Sequence, residues 1–245
     1  MNPENLHPGL SIDCVIFGFH DNQLKVLLLK FKNLENWALP GGFIQKNENL
    51  DQAAVHILQE RTGLDKIFLT QFQAFGDVNR TPEDHWDRVE ESKVLEGEAL
   101  DWFKRRFVTI GYYSLVEFSN VVPKPDEISE ECTWHSINDI PELIVDHKQI
   151  IERALWTLRT QLKYYPIGKN LLPNKFTMPE LQSLYETLLD VKLDRRNFQR
   201  KMIGYDILIK HKERRQGGAH KAPFLYSFDV GKYERALENG LMTIW

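Results

Sequence analysis

The stretch from Gly41 to Leu64, "GGFIQKNENLDQAAVHILQERTGL", constrains the fold more than any other. A Gly-Gly turn opens it, and the residues after it carry a helical signature. Asn49 can cap the helix, Leu50, Ala53, Ala54, Ile57 and Leu58 recur at helical spacing, and Gly63 can supply a left-handed stop. On the N-terminal side lie two β-rich apolar runs, "LSIDCVIFGF" and "LKVLLLKF", separated by "HDNQ", a hairpin signature. Further strand-like runs follow at "FLTQFQAFGDV", "FVTIGYYSLVEF" and "ECTWHSI". Strands flanking helices without regular alternation predict an α+β fold rather than a doubly wound sheet.

Residues 81–106, charged and aromatic by turns, read as a long, partly helical insertion between two strands. A solvated excursion is the expected role and a lid the alternative. Asp146, with Gln149 three residues on, predicts a capping box for a connecting helix over 146–163, whose apolar stripe includes Ile150, Ile151, Ala154, Leu155, Leu158 and Leu162. "YPIGKNLLPNKF" then makes a domain junction, giving expected domains of 1–165 and 166–245.

Charge separates the same two segments. The net charge is −4, but residues from Pro166 onward hold 14 Lys and Arg against 9 Asp and Glu, a net +5. The remainder holds 17 against 26, a net −9, which predicts domains with different partners. In the basic segment, Thr177 and Glu180 form a capping box ahead of an amphipathic helix. Asp194 can cap a second, short helix with Phe198 and Met202 turned inward. Two strand-like runs around "RRQGGAHK" complete the order helix, helix, basic hairpin, which is that of a winged helix-turn-helix. Arg195, Arg196, Asn197, Gln199, Arg200 and Lys201 on the second helix, with Arg214, Arg215 and Lys221 on the hairpin, have the chemistry of phosphate and base-edge contacts to duplex DNA.

Cys14 and Cys132 lack metal-ligand spacing and read as reduced, cytoplasmic thiols. No apolar run approaches the roughly 18–20 residues of a membrane span, and the N-terminus lacks the pattern of a secretory signal.

The Gly41–Leu64 stretch resembles the Nudix box, G-x5-E-x7-R-E-U-x-E-E-x-G-U, with U a bulky aliphatic residue. Gly42, Glu48, Leu58, Glu60, Gly63 and Leu64 match it; His56, Ile57 and Arg61 replace its Arg and two of its Glu. In that family the glutamates hold divalent cations, which need several oxygen ligands. Glu48 and Glu60 remain, with Arg61 expected to pair with either. His56 and Glu60, one turn apart, are expected to form a helix-surface pair rather than a metal site. The residues therefore predict no metal, no cofactor, no catalytic residue and no standard Nudix hydrolysis.

Together with "WALPGGF", "AFGDVNR", "YYSL", "LLPNKFTMPELQSLYE" and "LDRRNFQRKM", this arrangement resembles the Nudix-related bacterial transcriptional regulators across most of the chain. The resemblance implies a Nudix-like α/β/α sandwich followed by a C-terminal winged helix-turn-helix. It also implies a small-molecule effector and double-stranded operator DNA bound as a homodimer, with repression the expected mode. One branch of the family answers to ADP-ribose and another to pentoses such as arabinose or xylose. "GLSIDCVIFGF" and "PIGKNLLPNKFT" look closer to the sugar-responsive branch, so a pentose is the first expectation, ADP-ribose the alternative, and an active hydrolase a distant third. Candidate effector-binding residues are Asp13, Lys30, Phe43, Gln45, Arg80 and Tyr112.

Overall fold

The two apolar N-terminal runs become β1 (Leu6–His20) and β2 (Gln23–Phe31), neighbours in one sheet. Asp21 and Asn22 between them take φ values of 50° and 56°, the backbone of a two-residue hairpin with right-handed twist. This computed structural model describes residues 3–64, 69–215 and 222–241. The short β3 (Trp37–Ala38) pairs antiparallel with β2, and β4 (Gly41–Gln45) pairs antiparallel with β1, setting Gly41 opposite Asp13. A Cβ on Gly41 would stand 2.5 Å from the Asp13 carboxylate and 2.8 Å from the Ile12 carbonyl oxygen. That approach admits only glycine.

Helix α1 (Leu50–Thr62) begins in a capping box between Asn49 and Gln52 and ends at Gly63, whose φ of 71° is left-handed. Its inner face, Ala53, Ala54, Ile57 and Leu58, is buried with Ile12, Cys14, Ile16, Leu27 and Tyr112 in one apolar core. Strands β5 (Leu69–Phe75), β6 (Val108–Glu117) and β7 (Ser129–Ser136) complete the sheet. Among the described residues it has the path β3-β2-β1-β6-β5, with β4 on β1 and β7 on β2.

The insertion is partly helical, as expected, but is not wholly solvated. It folds as α2 (His85–Ser92) and α3 (Gly97–Phe103), and Val89 and Trp102 are buried. The physical reason is aromatic: Phe43 of β4 meets the rings of Trp102, Phe103 and Phe107 at centroid distances of 5.8, 5.0 and 4.9 Å. Burying those rings outweighs the solvation of the charges between them.

The connecting helix α4 spans His147–Gln161. Asp146, expected as its capping residue, has its carboxylate gripped by Arg80. After the junction come β8 (Phe176–Thr177), α5 (Met178–Leu189), α6 (Arg195–Gly204), β9 (Leu208–Arg214), β10 (Phe224–Phe228) and α7 (Val230–Asn239). Both capping positions of the basic segment form: Thr177 and Glu180 make a reciprocal box, and Asp194 accepts from the Asn197 N–H. Strands β8, β10 and β9 make a second, antiparallel sheet in that order. Contacts divide the chain into two compact units, Met1–Gly18 with Lys25–Leu155, and Phe19–Leu24 with Trp156–Trp245. Among the described residues no helix is long and apolar enough to cross a membrane.

Candidate functional site

The first unit contains a cavity of about 340 Å³, within the range of small-molecule sites. Its floor is polar and buried. Arg80 donates through Nε and Nη2 to the two carboxylate oxygens of Asp146 at 3.0 and 2.6 Å. The same Nη2 lies 3.8 Å from Asp13 Oδ2, which accepts a 2.8 Å bond from Thr109 Oγ1. His147 Nδ1 accepts the Leu39 N–H at 2.9 Å, so the ring proton sits on Nε2, 3.6 Å from Asp13 Oδ1. Burial lowers the His147 pKa and holds the ring neutral. His85, also on the cavity wall, is pushed down to about 4, by burial first and by Arg88 second.

The walls are aromatic, with Phe43, Trp86, Phe103 and Phe107. The rim is cationic. Arg105 and Arg106 line the cavity with exposed side chains; Arg105 stacks on the Trp102 ring and Arg106 donates to the Gly76 carbonyl. Lys104 beside them pairs with Glu90.

Of the six sequence candidates, the fold brings Asp13, Phe43 and Arg80 together around this cavity. Lys30, Gln45 and Tyr112 lie elsewhere. Leu29 and Phe31 line the cavity, and strand alternation turns Lys30 between them away, to a 2.9 Å ion pair with Glu130. Gln45 is exposed at the end of β4, its N–H bonded to Glu48 Oε1. Tyr112 is buried in the α1 core, where its hydroxyl donates to Asp51 at 2.8 Å. The sequence reading missed His147, His85, Trp86, Arg105 and Arg106. Only the mixture of aromatic and basic residues in the insertion pointed toward the last three.

In the box helix, Glu48 Oε2 and Glu60 Oε1 flank the His56 ring, at 3.3 Å from Nδ1 and 3.7 Å from Nε2. Arg61 does not pair with either glutamate; it is buried and donates to Asp126 at 2.8 Å. Ile57 packs in the apolar core. The divalent cation implied by the fold does not fit this donor set: two acidic positions hold Ile and Arg, and a histidine stands between the two glutamates that remain. Among the described residues no group of three or more His, Cys, Asp or Glu is arranged to hold a metal.

In the second unit, α6 buries Phe198 and Met202, with Phe198 against the Tyr185 ring at 5.5 Å. This turns Arg195, Arg196, Asn197, Arg200 and Lys201 to solvent and leaves Gln199 half-buried. Arg200 donates to Asn197, and the Lys201 ammonium lies 5.8 Å from the Tyr205 ring. The hairpin arginines are already engaged. Arg214 stacks on Phe224 and donates to the Ala222 carbonyl, while Arg215 pairs with Glu180 at 2.6 Å. Lys221 lies outside the described residues.

A cavity lined by the Gly-Gly loop, joined in one chain to a helix pair with a basic outer face, defines a two-part protein: a unit with a small-molecule-sized cavity and a winged helix. Residues 7–154 match the NUDIX domain and residues 168–228 match the NrtR DNA-binding winged helix domain. The chain belongs to the Nudix family and carries a C-terminal winged helix of the NrtR type. It is 28% identical, over 93% of its length and 84% of the relative's, to an ADPR responsive transcriptional repressor NtrR of Acinetobacter baylyi. It is 25% identical, over 60% of its length and 73% of the relative's, to an ADP-ribose pyrophosphatase of Methanocaldococcus jannaschii. The crystal structure of Shewanella oneidensis NrtR complexed with a 27mer DNA superposes with a TM-score of 0.74 at 26% identity, covering 95% of this chain and 97% of that one. The Acinetobacter and Methanocaldococcus relatives are named for ADP-ribose, so the leaning toward the pentose branch finds no support. Of the two segments behind it, one is the strand that brings Asp13 to the cavity and the other is a domain junction, and neither alone names a ligand.

Proposed function

We propose that the chain is a transcriptional repressor that binds operator DNA through its winged helix and is controlled by ADP-ribose bound in its Nudix-unit cavity. The observation that carries this reading is the match along both units to an ADPR responsive repressor. The cavity chemistry agrees with it. Exposed Arg105 and Arg106 suit a diphosphate, and Trp86 and Phe103 offer faces for a purine. In the second unit, α6 presents Arg195, Arg196 and Arg200 as phosphate or guanine ligands and Asn197 and Gln199 as adenine readers. A homodimer would place two such helices on two half-sites. Hydrolysis is not part of this proposal, because the box lacks the carboxylates to gather a cation and the His56 ring occupies the space between Glu48 and Glu60.

The test is selection of duplexes from a randomised pool, followed by anisotropy titration of the enriched duplex with ADP-ribose, with and without magnesium. One enriched sequence, and a change in affinity for it caused by ADP-ribose without magnesium, is the expected result. Failure to enrich any sequence would remove the DNA-binding role. Indifference of a specific complex to ADP-ribose would remove the effector assignment. Magnesium-dependent consumption of ADP-ribose would establish a hydrolase.

A further inference from the structure

Asp13 is a buried carboxylate with unused acceptor capacity. An ionised carboxylate has about four acceptor positions. Here the side chain is 11% exposed and, among the described residues, receives one short bond, from Thr109 to Oδ2 at 2.8 Å. The Arg80 guanidinium stands at 3.8 Å, its short bonds directed to Asp146. Oδ1 faces the His147 Nε2–H at 3.6 Å, beyond hydrogen-bonding distance. His147 has the complementary deficit. Its Nδ1 is fixed by the Leu39 N–H, so Nε2 must donate, and it too lines the cavity with a side chain only 8% exposed. Leaving such groups unmatched is costly, which makes the pair a strong point of recognition for whatever meets both.

We propose that Asp13 and His147 are the specificity-determining pair of the cavity and that they take a ligand hydroxyl. A hydroxyl is the group that accepts from Nε2–H and donates to Oδ1 at once. A phosphate oxygen meets the first need and collides electrostatically with the second. At the floor Asp13 and Arg80 line the cavity, and Asp146 behind Arg80 takes its short bonds, so two carboxylates stand against one guanidinium beside a neutral His147 and disfavour an anion. Arg105 and Arg106, exposed and without an ion pair among the described residues, are at the rim. The ligand is thereby oriented, with its anionic part at the rim and a hydroxyl-bearing sugar on the floor. This inference rests on the ADP-ribose reading above and assigns the terminal ribose hydroxyls to the Asp13–His147 pair.

The experiment compares ADP-ribose with the β-methyl ester of ADP by calorimetric titration of the full chain. The two ligands share adenosine and a doubly charged diphosphate and differ in the terminal ribose. ADP-ribose is expected to bind about tenfold to a hundredfold more tightly, the range of hydrogen bonds to a charged group. In Asp13→Asn that ratio is expected to collapse toward one. Arg105→Ala is expected to weaken both ligands alike. Equal wild-type affinity for the two ligands would overturn the proposal without needing any variant to fold, as would an unchanged ratio in a folded Asp13→Asn protein. Absence of wild-type binding to ADP-ribose would instead overturn the functional reading on which it stands.

Discussion

Replacing Arg80 by Met tests how the cavity floor is held. The guanidinium satisfies both oxygens of Asp146 at 2.6–3.0 Å and is the nearest full positive charge to Asp13, at 3.8 Å. The three side chains are 10%, 7% and 11% exposed, so water does little to screen them. Removing the cation leaves two buried carboxylates, a change that costs about 3–5 kcal/mol when one partner of a buried pair is deleted. For a unit of roughly 150 residues each kcal/mol moves the midpoint by about 2–4 °C, so Arg80→Met should melt roughly 6–20 °C lower. Tryptophan fluorescence reports on the right unit, because four of the six tryptophans (Trp37, Trp86, Trp102 and Trp134) belong to it. Adding Asp146→Asn removes the uncompensated charge and should recover much of the loss, which a purely steric role for Arg80 would not allow. A loss below about 1 kcal/mol, or a double variant no more stable than the single, would refute the view of this floor as an interdependent ionic cluster.

Three further outcomes follow from the same geometry. His85 and His147 have folded pKa values below the unfolded value near 6.5, so the unfolded chain binds more protons and stability should fall as pH drops from about 6.5 toward 4. Urea midpoints measured across that window should decline, and less steeply in His85→Phe; identical slopes would contradict the burial of a neutral His85. Arg196→Ala should weaken duplex binding and reduce its salt slope by about 1 while ADP-ribose binding is retained; an unchanged slope in filter binding would remove Arg196 from the phosphate contacts. Ile57→Glu, which restores one acidic position of the box, should destabilise by on the order of 3–5 kcal/mol by placing an unpaired charge in the core, read by urea denaturation.

The elements legible in the sequence are those whose signals are local. Asn49, Gly63, Thr177, Glu180 and Asp194 sit where helix ends need them, and each performs that role. The β1–β2 turn was equally visible, because Asp and Asn tolerate the positive φ of a tight hairpin. The helices of the insertion were visible but its packing was not, because its charges are conspicuous and its few buried residues are not. Val89 and Trp102 are separated by charged residues, and the distant Phe43 supplies part of the surface that covers the insertion's rings. Strand β8, two residues long, carries too little pattern to be seen without its partner β10.

At the site, residue chemistry was legible and direction was not. Lys30 and Tyr112 are reasonable ligands by type, but a strand shows alternate side chains to opposite faces, and one position decides between cavity and core. Asp146 was visible as a helix cap, while its actual partner lies 66 residues earlier in the chain. The box makes the same point in reverse. Its glycines and aliphatic positions persist because the scaffold requires them: a Cβ on Gly42 would press on Ile57 at 3.0 Å, and Leu58 is fully buried. Its acidic positions carry no such packing requirement. Once cation binding is dispensable, Ile57 can extend the apolar face and Arg61 can tie the helix to Asp126, at 2.8 Å. The half of the motif that folds the helix is therefore retained, and the half that only binds metal is free to become structure.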